Sequence, residues 1–110
     1  MSLTINIKQG PHGTILVVTD TDILGKQFED TILNTITSKE SAISLDLTSS
    51  FYQGKDSKVA SIAEIQEMAK GAYILHVTGH HSIAALEEYI DKDQIMIIQE
   101  VPHAQVHMGE

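Results

Sequence analysis

His80, His81, His103 and His107 are the residues best suited to chemistry in this sequence. An imidazole titrates near neutrality and can serve as a general acid or base, or as a metal ligand. His103 lies in Val101-Pro102-His103-Ala104-Gln105. Pro102 has no N–H to give a ladder, so pairing is predicted to stop there and lift His103 and Gln105 off the sheet as a displayed polar pair. His80 and His81 open Val77-Thr78-Gly79-His80-His81-Ser82, which reads as a strand passing through glycine into a helix. The free N–H groups and dipole of such a helix start suit a small anion and favour neutral rings, although Gly79 is equally what a bare chain reversal needs. Phe51-Tyr52-Gln53-Gly54-Lys55 puts an aromatic pair beside a lysine. That set could stack a base and neutralise a phosphate, or simply plug the core.

Other chemistry is poorly served. Adjacent helical residues point about 100° apart, so His80 and His81 do not share one ion well. A zinc or nickel site from His103, His107 and one of His80 or His81 requires a helical tail begun by Pro102. No three histidines have dependable ligand spacing, so neither metal nor cofactor is expected. Ser82 beside His81 lacks the spacing of a nucleophile and its base, and Glu87-Glu88 reads as a solvated face. His12 sits at a turn.

The elements that must position these residues are legible from periodicity. Leu3, Ile5 and Ile7 alternate with polar residues, Gly10-Pro11-His12-Gly13 is turn chemistry, and Ile15–Val18 is apolar. A hairpin of residues 3–8 with 14–19 follows. Asp20-Thr21-Asp22 offers N-cap oxygens to a short helical turn through Ile23, Leu24 and Phe28. Residues 29–40 are predicted helical from Ile32, Leu33 and Ile36, against the β-branched threonines among them. Ala42–Thr48 alternates as a strand. Ser61-x-x-Glu64 is a capping box opening a helix with Ile62, Ile65, Met68 and Ala69 inward. Tyr73–Val77 reads as a buried strand and residues 81–90 as a second helix. Ile95–Ile98 reads as the last strand, parallel to and beside 73–77 through a right-handed crossover. The fold class expected is α+β, a two-layer sandwich on a mixed sheet with an N-terminal hairpin and a C-terminal helix-strand-helix-strand.

Composition narrows the function classes. The chain has 110 residues, 42% of them hydrophobic, which suits one domain over residues 1–110. No apolar run approaches the ~20 residues of a membrane span, and there is no signal pattern, so the cytoplasm is the expected compartment. Cysteine is absent, which removes disulfides, thiolate nucleophiles and cysteine metal sites. The seven basic residues are all lysine, and 15 acidic residues bring the formal net charge to −8. That field repels polyanions and argues against generic nucleic-acid binding.

Val101-Pro102-His103-Ala104-Gln105, with Leu24-Gly25-Lys26, Phe51-Tyr52-x-Gly54 and Val77-Thr78-Gly79 in that order along the chain, resembles the DUF424 family over about residues 22–105. These are small, mostly archaeal proteins of unassigned activity. Residues 29–40 look like an insertion relative to that family. The motif residues fall at turns and strand exits, where function concentrates. They imply a binding or adaptor domain whose site combines Phe51, Tyr52 and Gly54 with Gly79 and His80 and with Pro102, His103 and Gln105. The archaeal setting implies a protein or RNA partner of the translation machinery. The alternative is a small-molecule or metal-dependent enzyme using His103.

Overall fold

The computed structural model describes residues 2–34, 39–55 and 57–108, with the backbone alone for 31–34 and 39–43. The strands are β1 (Leu3–Gln9), β2 (Thr14–Asp20), β3 (Gln27–Asn34), β4 (Lys39–Asp46), β5 (Lys58–Ala60), β6 (Ile74–Thr78), β7 (Ile95–Ile98) and β8 (Val101–His107). The helices are α1 (Ile62–Ala69) and α2 (His80–Ala85). Six strands form one mixed sheet in the order β5-β1-β2-β6-β8-β7, and β3 and β4 form a separate two-stranded sheet. The fold is mixed α+β, and its N-terminal hairpin pairs Leu3 with Asp20 through Gln9 with Thr14.

Each face of the large sheet is covered differently. Leu3, Ile5, Leu16, Val18, Leu75, Val77 and Val106 point to the helices, where Ile65, Ala69 and Leu86 complete the main core. α1 starts on the expected capping box, with Glu64 N–H donating to Ser61 Oγ and Ser61 N–H to Glu64 Oε1. The opposite face carries the alternate residues and is partly covered by the small sheet. There Leu45, Leu47 and Ile98 gather Phe28, Tyr52 and Val101 into a second, smaller core.

Several expectations are corrected. Residues 29–34 and 39–40 are not helical but belong to the strands of a long hairpin, paired from Gln27 with Asp46 to Asn34 with Lys39, while the strand expected over 42–48 is present through Asp46. The β-branched residues outweighed the helical spacing; residues 35–38 lie outside the described residues. Asp20 ends β2, its side chain does not cap the 3-10 turn at Thr21–Ile23, and Phe28 belongs to β3. Ile62 faces outward, 47% exposed. The second helix stops at Ala85, because Leu86 leaves helical geometry (φ −118°) and turns its side chain into the core; a 3-10 turn over Glu87–Tyr89 follows.

The largest correction is the tail. Residues 101–107 are not lifted off the sheet but form β8, an interior strand bonded to both β6 and β7. β7 is therefore neither the last strand nor a neighbour of β6, although the two run in the same direction. Pro102 is tolerated because its C=O accepts from Gly79 N–H at 2.8 Å. Its missing N–H would point at that same residue, where β6 has already given way to α2.

A two-residue turn makes β8 possible. Gln99 and Glu100 both hold positive φ (48° and 68°), as a type I′ hairpin turn demands. Gln99 N–H donates to Asp30 Oδ2 at 2.8 Å and His80 Nε2 donates to the Glu100 carbonyl at 2.7 Å. Neither residue favours this conformation, so Gln99→Asn with Glu100→Gly is expected to raise stability by about 1 kcal/mol. A urea midpoint below wild type would show instead that the two native side chains stabilise the turn.

Candidate functional site

Strand register places the polar side chains in rows on the face opposite the helices. One row runs Thr4, Thr19, Thr78, His103 and Met96 across β1, β2, β6, β8 and β7. The next runs Asn6, Val17, His76 and Gln105. Because side chains alternate along a strand, these two rows are neighbours on one surface. Thr78 Oγ1 and His103 Nδ1 share a hydrogen bond of 2.7 Å. The His76 and His103 rings lie 6.0 Å apart between centroids.

The Phe51 loop closes over this surface. Asn6 Nδ2 donates to the carbonyls of Ser50 (3.0 Å) and Phe51 (2.8 Å), clamping the loop to β1. Gly54 is needed there because a Cβ would stand 3.0 Å from Ser50 O and 3.4 Å from Asn6 Nδ2. The Phe51 ring meets His76 edge-on at 4.8 Å and Tyr52 at 5.2 Å. Tyr52 leans into the second core, where burial first and the Asp46 charge second push its phenol pKa up.

Burial governs the electrostatics. It pushes the His76 pKa down to about 4, with smaller contributions from His103 and His107, and it lowers His103 as well. Both rings are therefore neutral at physiological pH, each offering one donor and one acceptor. Among the described residues, Thr19 Oγ1 and His76 Nδ1 are the buried side-chain polar atoms without a partner, and they belong to adjoining strands of this same face. Unpaired buried polar atoms are uncommon in folded proteins.

The helix start after Gly79 is not an open anion site. Asp20 fills it: Ser82 N–H (2.8 Å) and Ser82 Oγ (2.7 Å) donate to Oδ1, and His81 N–H donates to Oδ2 at 3.2 Å. A carboxylate from the end of β2 thus satisfies the donors that a bound phosphate would have used. Gly79 adopts φ +107° against this carboxylate, and Ser82, which lacks a nucleophile's setting, is wholly buried in the clasp.

The structure thus brings Phe51, His103 and Gln105 onto one surface. Tyr52 and Gly54 support the loop, while Gly79, His80 and Pro102 shape the β6–α2 corner and the hairpin turn. His103 and His107 lie on the same face of a strand, four residues apart, so the helical tail required for a shared metal site does not exist. Among the described residues no three His, Asp or Glu side chains form a group able to hold a metal ion. Asn6, Thr19 and His76 are site-bearing residues that the sequence does not single out, while Thr78 and Asp20 are legible there only as part of a motif and as a cap for the wrong helix. Of the first three, His76 alone left a signal, an imidazole inside the apolar run Tyr73–Val77.

The model of a protein family described as "Protein of unknown function (DUF424)" matches residues 7–108. No curated protein matches the chain. The crystal structure of an uncharacterized conserved protein from Methanopyrus kandleri is similar, with a TM-score of 0.70 and 18% identity, covering 98% of this chain and 92% of that one. At that identity the likeness concerns the fold. With the family match spanning nearly its whole length, the chain belongs to the DUF424 family.

Proposed function

We propose that the protein is a single-domain, cytoplasmic binding module, not an enzyme, and that its partner docks on the polar face of the large sheet. The observation that carries this reading is the convergence of Phe51, His76, His103 and exposed Gln105 on one surface. That surface offers neutral hydrogen-bonding groups beside an aromatic ring, the composition of a recognition surface rather than a reaction centre. An enzyme using His103 is less well supported. Its Nδ1 partner is the Thr78 hydroxyl, and among the described residues no carboxylate is hydrogen-bonded to either ring to orient it and stabilise its protonated form.

The partner is a protein of the translation machinery. The assignment to that machinery is carried over from the family resemblance. The charge of −8 and the lack of arginine favour a protein over RNA. Site-specific photo-crosslinking from position 105 in host cells tests the proposal, with position 67 on the helical side as control. A discrete protein adduct from 105 alone is the expected result.

A further inference from the structure

On the helical side of the sheet, a trough of about 480 Å³ separates the start of α1 from α2. Its walls include Leu3, Ala60, Ile62, Ala84 and Ala85, with Gln66 and His81 among its few polar groups. The volume falls within the range of small-molecule sites, as does the mainly apolar lining. Ile62 is 47% exposed. Helical spacing predicts that Ile62 packs in the core with Ile65, but it forms a wall of this trough instead.

At Ser2 and His81 the trough meets a second cleft of about 300 Å³, lined also by Thr21 and Asp22. Among the described residues lining the two clefts, Asp22 is the one carboxylate and there is no lysine. Asp20, its near neighbour, is buried and committed to α2, whereas Asp22 is exposed. An apolar slot ending in one carboxylate selects a ligand of matching polarity.

We infer that this double cleft is a binding site for a small organic amine, with the aromatic or aliphatic body seated between Leu3, Ile62 and Ala84 and the ammonium against Asp22. The site lies on the other side of the sheet from His76 and His103 and does not depend on the function proposed for that face.

The chain contains no tryptophan, so the fluorescence of tryptamine reports its own binding directly. Tryptamine is expected to saturate one site with a blue-shifted emission. It should bind at least about tenfold tighter than indole-3-acetate, which has the same ring and the opposite charge. Asp22→Asn should reduce that preference to near parity, and Ala84→Leu should abolish saturation by filling the slot. Ile62→Lys, at an exposed wall position, repeats the blocking test should Ala84→Leu fail to fold. No saturation at millimolar tryptamine, equal affinity for the two indoles, or unchanged binding in the folded blocking variant would overturn the inference.

Discussion

Gly79→Ala is expected to cost more than about 4 kcal/mol and to leave little folded protein, since domains of this size have only about 5–15 kcal/mol in total. Two effects act at once. The backbone at φ +107° and ψ 153° lies in a region that essentially only glycine occupies. A Cβ there would stand 2.6 Å from both oxygens of the Asp20 carboxylate. Asp20 cannot withdraw without stranding the buried Ser82 hydroxyl and N–H, each costing about 1–3 kcal/mol when unpaired. Gly25 provides the control. It also has positive φ (81°), but a Cβ there meets nothing within 4 Å, so Gly25→Ala should cost only about 1–2 kcal/mol. Similar losses at the two glycines in denaturant melts would refute the clasp between Asp20 and α2.

Stability should fall as the pH drops from about 6.5 to about 4, because the folded-state pKa of His76 is depressed to about 4. Above 6.5 the ring is neutral in both states and the pH has no hold on it. Below 6.5 the unfolded chain takes up the proton first, so stability is lost progressively until the folded protein also protonates. The full shift corresponds to about 3.4 kcal/mol at about 1.36 kcal/mol per unit. Since the ring is only half-buried, solvent screening reduces the expected loss to about 1–2 kcal/mol. His103, lowered by burial too, acts in the same direction. Asp46 is held below its usual value of 3.8 by its hydrogen bonds to Thr48, and so contributes only under this window. Urea melts at pH 7.5 and 4.5 measure the loss. His76→Gln should flatten the profile, and an undiminished slope in that variant would contradict the assignment.

Where local chemistry decides the conformation, the sequence was readable. The hairpin at Gly10–Gly13 and the Ser61–Glu64 capping box are set by residues within a few positions of one another. Errors arose where distant partners decide. The Pro102 stop signal is real as local chemistry, but it acts toward Gly79, where β6 ends, and the rest of β8 pairs normally on both sides. The parallel pairing of β2 with β6 sets Thr19 beside Thr78, and no spacing along the chain announces it. The same holds for the site. Phe51, His103 and Gln105 were identifiable as motif residues, whereas His76, Thr78 and Asn6 acquire their meaning only when four strands align. Asp20 has the chemistry of a cap, but the helix it serves lies about 60 residues further on.

Crosslinking from position 105 decides whether the face bearing His76, His103 and Gln105 is the docking surface. A photoreactive residue replaces Gln105 in one strain and Glu67 in another, and both are irradiated in host cells. One discrete, nuclease-resistant protein adduct is expected from position 105 and none from position 67. Adducts of equal yield from both positions, a nuclease-sensitive adduct, or none from 105 would contradict a docking surface there.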